Sequence, residues 1–402
     1  MNWDSALYGM KRTGGSDGAS VSDLLASHKR ATKRRRKRRA GGGSAAAERP
    51  ETVEQCIRSH LASLRGKATS AQKAASDQAS DSPFVVCLLF IIIDSLPFEG
   101  IWRRWLGGTE ANPNMAAKGS NAGRPVLTKV LVHAKFPEKV KSEWVRARLI
   151  KESYKPEWGS VEITKAMVAL LKRGVEATSS MAVPTGDDRV RFLFASESCV
   201  PVCKLPDAAT ALSASKQSWL QVKYKPRTGY NGSSQWLPIE NSSLIPKECV
   251  CKADQWVCLT RTHAKEIFGL AQQLDQSTKV PRLPASIDAF WPAFKKGCAS
   301  DEMYFPTMLS CCGILPTRVD GSAGPSDGVA PRQLTYVRWI HPDLDDYSRE
   351  NSMVDRPVAF EMLDPGLFAT AREKGCLFLR KLIVPKKKGT VSITAEAWEK
   401  CV

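Results

Sequence analysis

Ten residues from Phe84 to Ile93 read Phe-Val-Val-Cys-Leu-Leu-Phe-Ile-Ile-Ile, without one charged side chain and with a β-branched triplet at the end. A run of this length is far short of the roughly 20 apolar residues that a bilayer-spanning helix needs. It reads instead as a strand buried on both faces, the kind that occupies the centre of a parallel sheet. Such a strand obliges the rest of the chain to supply cover on both sides. The downstream pattern does so. Phe98–Leu106 predicts a helix and Lys129–His133 a second strand. Gly159–Ala177 carries Ile163, Met167, Leu170 and Leu171 on one helical face. Arg189–Ala195 and Asp254–Thr260 read as strands, with a helix from Arg261 to about Leu274. Gln333–Trp339 and Cys376–Leu379 read as late strands. Strands separated by helices predict an α/β domain. In such sheets ligands lie beyond the carboxyl ends of the strands, so residues just after strands carry most weight.

The chain before Pro83 is of another kind. Residues 1–82 are rich in Ala, Gly, Ser, Lys and Arg, a composition expected to be disordered, with a transient helix near Val53–Leu64. The net charge of +18 is concentrated there, since residues 1–50 hold twelve Lys/Arg against four Asp/Glu. What remains is a moderate basic bias that suits an enzyme handling diphosphates. The cluster Lys33–Arg39 is open to several readings: a nuclear address, a nucleic-acid contact, the cytosolic flank of an anchor, or a solvated run in a tail. The last is favoured, because no aromatic residues are interleaved to stack bases. The organisation expected is therefore a basic low-complexity head over 1–82, one domain over 83–390, and a C-terminal tail over 391–402. Gly107–Gly123 reads as a polar loop and Pro316–Pro331 as a Gly/Ser/Pro-rich insertion. No stretch reads as a membrane-spanning helix or a cleavable signal.

Twelve cysteines are many for a cytosolic enzyme. Cys249-x-Cys251 and Cys311-Cys312 are spaced too closely for structural zinc without other ligands. Either disulfides form in a lumenal compartment or the thiols are small buried groups. The sequons at Asn231 and Asn241 mildly favour the lumen.

One polar pair stands at the mouth of an apolar segment. Asp301 and Glu302 precede Tyr304, Phe305, Met308, Leu309 and Cys312, which recur at helical spacing. Ser300 or Asp301 is expected to cap that helix, with Pro306 in its first turn or kinking it. A carboxylate there, close to the positive helix end, suits a base that takes a proton from a hydroxyl. Spacing alone favours the plainer reading, in which both acids simply cap a surface helix.

Asp301–Leu309, Asp-Glu-Met-Tyr-Phe-Pro-Thr-Met-Leu, resembles the Asp-Glu-His-Tyr-Leu-Pro-Thr-Phe-Leu motif of the plant and algal Core-2/I-branching glycosyltransferases, relatives of the β-1,6-N-acetylglucosaminyltransferases. Further segments arrive in that family's order over roughly 84–384. Asp94–Trp102 is similar to its first strand end and turn, and Val132-His133-Ala134 to its Val-His-Ala. Glu157-Trp158-Gly159-Ser160 resembles Glu-Trp-Gly-Lys, and Phe192–Val202 resembles Leu-Leu-Ser-Glu-Ser-Cys-Ile-Pro-Leu. Lys252–Trp256 resembles Lys-Gly-Ser-Gln-Trp, and Cys376–Lys381 resembles Cys-Phe-Leu-Phe-Ala-Arg-Lys. Met303 replaces the family's His, and the basic head stands where relatives carry a membrane anchor.

The resemblance implies a GT-A-type nucleotide-sugar-binding fold, a Rossmann-like mixed sheet flanked by helices. It implies an inverting transfer of a sugar, N-acetylglucosamine by family analogy, from a UDP-sugar donor to a glycan or glycoprotein acceptor. Glu302 corresponds to the general base, with Asp301 orienting it or binding sugar. Many GT-A enzymes hold a divalent metal through Asp-x-Asp after a strand. Here that position reads Ser196-Glu197-Ser198-Cys199, and Asp187-Asp188 lie at the wrong end. No catalytic metal or other cofactor is therefore expected. Lys381, with Arg380 beside it, corresponds to the cation that meets the departing diphosphate, and Arg356 or Arg349 stands as a second. His133 is expected beside uracil or ribose, or else as a core histidine. Glu197, with Ser198, is expected to contact acceptor or donor sugar, or to tie down a loop. Trp158 with Gly159, and Trp256 with Gln255, offer sugar-stacking faces, though either tryptophan is also an ordinary core residue. The family implies the Golgi and secretory-pathway membrane. The competing classes are a non-catalytic carbohydrate binder that kept the fold and, less favoured, a nuclear nucleic-acid binder acting through residues 29–39.

Overall fold

Strand β1, Phe84–Ile92, is buried at all nine positions. The reason lies in its alternation. Val85, Cys87, Leu89 and Ile91 enter one apolar core, whereas Phe84, Val86, Leu88, Phe90 and Ile92 enter another on the opposite face. Each such side chain contributes about 2 kcal/mol on burial, so the run is strongly held at the centre. This is a computed structural model. It describes residues 83–107, 125–181, 189–223, 236–277, 291–316, 326–340, 356–384 and 393–402 apart from single positions, together with helical positions between Glu54 and Ala62.

In chain order the remaining strands are β2 Val126–Ala134, β3 Val190–Ser196, β4 Val200–Pro201, β5 Ser218–Trp219, β6 Cys258–Thr260, β7 Val329–Ala330, β8 Thr335–Val337, β9 Trp339–Ile340, β10 Arg356–Pro357 and β11 Phe378–Arg380. The helices are α1 Glu99–Leu106, α2 Glu143–Arg146, α3 Val161–Ser179, α4 Leu205–Ser213, α5 Arg261–Ser277, α6 Trp291–Phe294, α7 Tyr304–Cys311, α8 Pro365–Glu373 and α9 Ala395–Glu399. Six strands form a mixed sheet in the order β2-β1-β3-β6-β5-β7. β1 lies parallel to β2 and to β3, with Ile91 opposite both His133 and Ser196, so these three strands end on one rim. β6 runs antiparallel to β3. This is the expected Rossmann-like mixed sheet.

Helices cover both faces. α3, α5 and α7 supply Met167, Leu171, Ile267, Phe305 and Met308 to the first core. α1, α4, α8 and α9 supply Trp102, Leu212, Phe368 and Trp398 to the second. Gly174 lets α3 approach the sheet, since a Cβ there would meet the Phe192 ring at 3.0 Å. Ile57, in the stretch expected to form only a transient helix, is wholly buried in the first core. The segment set apart as a C-terminal tail closes the second core, because α9 buries Trp398. The described cysteines are all free thiols, most of them buried.

A second, three-stranded sheet, β4-β11-β8, carries the chain back to the rim of the first. Its middle strand β11 pairs antiparallel with β4, Leu379 opposite Val200. The Asp254–Thr260 strand is shorter than expected, being regular only from Cys258. Among the described residues no helix is long and apolar enough to cross a membrane. Lys33–Arg39, Asp187-Asp188, Arg349, Asn231 and nearly all of Gly107–Gly123 lie outside the described residues, as does most of Pro316–Pro331.

Candidate active site

The rim at which β1, β2 and β3 end gathers most of the residues singled out by sequence. Glu197 follows β3 directly and is held there by a clamp on residues 199–203. The indole N–H groups of Trp102, Trp105 and Trp398 donate to the carbonyls of Cys199, Cys203 and Pro201 at 3.2, 2.8 and 2.7 Å. Arg372 donates to the Val202 carbonyl at 2.9 Å. An extended segment bound through its carbonyls from several elements has little freedom, so the Glu197 carboxyl is fixed relative to the sheet. Ser198 belongs to this scaffold rather than to an open surface. It is buried, its hydroxyl lies 3.0 Å from that of Ser196, and its carbonyl accepts from Leu382 N–H.

That last bond, with the β4–β11 pairing, brings Arg380 alongside Glu197, with Lys381 next in the chain. The Arg380 guanidinium lies over the Trp256 ring, 5.4 Å from its centroid, within electrostatic reach of the Glu197 and Asp301 carboxyls. Lys381 is 2% exposed, and burial lowers its amine to about 8. It is a cation enclosed by the fold, not a solvated strand end. Arg356 lies on β10, paired with Ile340, and its side chain is not described.

Asp301 and Glu302 sit in a 3-10 turn, Ser300–Glu302, one step before α7. The expected cap does not form. Met303 precedes the helix, no side chain caps it, and Ser300 Oγ instead bonds Thr164 Oγ1 of α3 at 2.6 Å. Pro306 does stand in the first turn. All eight residues of α7 are buried, Thr307 and Ser310 included. The segment is thus a buried plug rather than an amphipathic surface helix, and the plain capping reading fails. Two further ties fix the acids. Ala299, itself left-handed at φ 49°, donates to the Gly159 carbonyl at 3.0 Å, and Ala253 N–H donates to the Glu302 carbonyl at 2.8 Å. Gly159 is required by its φ of 71° and by Cys298 Sγ, which a Cβ would meet at 3.0 Å.

Electrostatics separates the carboxyls. Asp301 is 6% exposed, and its pKa is pushed up to about 7, first by burial and then by the charge of Glu302. Glu197 is also raised to about 7, chiefly by burial and further by Asp94, against the pull of Arg380. Glu302 is partly exposed and pairs with Lys252 at 2.7 Å. Asp301 Oδ1, Glu197 Oε2 and Arg380 Nε are shut off from solvent with no hydrogen-bond partner among the described residues. Buried polar atoms in native proteins rarely stay unmet; other such atoms, Trp219 Nε1 and Trp236 Nε1 among them, lie within the cores, but these three cluster around one rim.

The tryptophans divide. Trp158 is 49% exposed in the turn that carries Gly159 and presents an open face, whereas Trp256 is buried in the first core with Gln255 partly exposed beside it. His133 has features of both readings, being enclosed by the fold while its Nδ1 meets no hydrogen-bond partner among the described residues. It is buried, its Nε2 accepts from Tyr154 N–H at 3.0 Å, its ring stacks on that tyrosine, and burial lowers it to about 4. Lys252 and Asp94 were not singled out by sequence reasoning. Both lie inside quoted motifs, Lys252 opening Lys-Ala-Asp-Gln-Trp and Asp94 following β1, so motif membership was the available signal.

Residues 129–356, more than half of the chain, match the family model described as Core-2/I-Branching enzyme. A curated protein of Oryza sativa subsp. japonica, Glycosyltransferase BC10, is 22% identical over 290 residues. The match covers 69% of this chain and 63% of that protein, so the chain spans less than two thirds of its relative's length.

Proposed function

The chain belongs to the Core-2/I-branching enzyme family, and on that premise we propose that it is an inverting glycosyltransferase with Glu302 as its general base. One observation carries the reading. Asp301, Glu197 and Arg380 hold polar atoms buried without partners around the same rim where Glu302 stays within reach of solvent. A sugar supplies the hydroxyls that such a set requires, and Trp158 offers a flat apolar face beside it.

In the proposed step Glu302 takes the proton of an acceptor hydroxyl as that oxygen bonds to the anomeric carbon. The bond from that carbon to the diphosphate oxygen breaks on the opposite face, and UDP leaves with the electron pair. Arg380 and Lys381, rather than a divalent cation, meet the charge that develops there. The nucleoside would lie beyond the ends of β1 and β2, near His133. Glu197 and Asp301, both disposed to hold a proton near neutrality, would donate to or accept from sugar hydroxyls. The donor is taken to be a UDP-sugar, N-acetylglucosamine by family analogy, and the acceptor a glycan or glycoprotein of the secretory pathway.

The test is a donor screen by UDP release on the full chain, with and without EDTA, followed by Glu302→Gln. Loss of a positioned base costs about 10²–10⁴-fold in rate, so that variant is expected to lose transfer while still binding donor. EDTA is expected to leave turnover within about twofold, since no metal step is involved. Substantial turnover in Glu302→Gln removes Glu302 from its role.

A further inference from the structure

Lys252 lies in the irregular stretch before β6, and its ammonium stands 2.7 Å from Glu302 Oε2, with the side chains 17% and 25% exposed. The backbone builds this pair from two sides. Lys252 and Lys223 exchange two main-chain hydrogen bonds, at 2.9 and 2.6 Å, and the residue after Lys252 donates to the Glu302 carbonyl at 2.8 Å. Both ends of the ion pair are therefore tied to one short segment. That removes much of the side-chain entropy which makes exposed pairs weak. Around the pair stand Asp301 and the Cys298 thiol, each within electrostatic reach of both members, with Arg380 beyond Asp301. Two neighbouring acids thus share a site, and the ammonium bonds one of them.

Resting on the transferase reading above, we infer that Lys252 is a positioning residue that aims the Glu302 carboxylate and selects it over Asp301 as the group receiving the acceptor's proton. An ammonium in hydrogen-bond contact holds its carboxylate in one orientation, which keeps a receiving oxygen aimed at the acceptor hydroxyl. Asp301 has no such contact, and burial disfavours its charged form. Lys252 itself neither gains nor loses a proton in the step. The proton passes from acceptor oxygen to Glu302, the new carbon–oxygen bond forms, and the bond to the diphosphate breaks.

The test compares Lys252→Met, Lys252→Arg and Lys223→Met. The last removes a 57% exposed ammonium that lies 4.0 Å from Asp254 and not beside Glu302. Two measurements are made on the full chain: kcat and donor KM by UDP release, and donor affinity by calorimetry. Lys252→Met is expected to lower kcat at least about tenfold, with donor KM and donor affinity within about twofold of wild type. Lys252→Arg is expected to restore most of kcat, and Lys223→Met to match wild type in both measurements. An unchanged kcat in Lys252→Met, a loss that appears in donor affinity rather than kcat, or no recovery in Lys252→Arg overturns the assignment. A wild-type chain that transfers no sugar from any donor overturns the transferase reading and this assignment with it, whereas an active wild type with an unaffected Lys252→Met overturns the assignment alone.

Discussion

Replacing Asp301 by Asn tests the electrostatics of the rim without depending on any substrate. The Asp301 carboxyl is raised from 3.8 to about 7, first by burial and then by Glu302, against the pull of Lys252 and Arg380. Between about pH 4 and pH 7 the folded protein holds a proton that the unfolded chain has released. Wild-type stability therefore falls as pH rises through that window and is level beyond it. At about 1.4 kcal/mol per pH unit, the cost of the ionised form reaches about 2 kcal/mol at pH 5 and about 4 kcal/mol at pH 8. Asp301→Asn keeps the shape and removes the charge. At about 2 °C per kcal/mol for a domain of this size, its Tm is expected to exceed wild type by about 3 °C at pH 5 and about 8 °C at pH 8. Glu197, also raised to about 7, adds a slope of the same sign but is present in both proteins, so the difference isolates Asp301. Melting curves by circular dichroism at the two pH values measure it. An equal gain at both, or a loss at pH 8, refutes the reasoning.

Trp158→Ala removes a half-exposed ring and is expected to leave Tm within about 1 °C, since surface changes stay within about 0.5 kcal/mol; acceptor KM, read by UDP release, is expected to rise several-fold. Arg380→Met takes away the guanidinium that offsets Glu197 and Asp301. It is expected to weaken UDP binding at least about tenfold by calorimetry, the value of a charge-assisted hydrogen bond. Trp398→Ala opens a cavity beneath the Pro201 carbonyl that the indole now serves. It is expected to cost about 3–5 kcal/mol in chemical denaturation.

What could be read from the sequence tracks local physics. β1 was legible because ten apolar residues admit little else, and α3 because Ile163, Met167, Leu170 and Leu171 repeat at helical spacing. Two-residue strands such as β4, β5 and β7 were not, since they are set by tertiary pairing and carry no periodicity of their own. In the candidate site, Glu302, Glu197 and Arg380 stand in motifs that end strands or open turns, which made them legible. The Glu302–Lys252 pair was not, because the partners are 50 positions apart and one backbone bond from Ala253 brings them together. The failed Ser300 cap has the same cause, as its hydroxyl goes to Thr164 on another helix. Trp158 and Trp256 looked alike in sequence, and only packing told them apart.

The indole clamp on residues 199–203 has a consequence for biogenesis. Trp102 and Trp105 emerge early from the ribosome, but Trp398 and Arg372 emerge last, and all four serve the same short segment. The early strands have partners as soon as β3 is made, whereas the carboxyl rim waits for nearly 200 further residues. Contacts this distant in sequence form slowly, so a nascent or truncated chain is expected to hold its sheet while lacking a finished pocket. Ligand binding would then report completion of synthesis, and chaperones would meet a half-built rim rather than an unfolded domain.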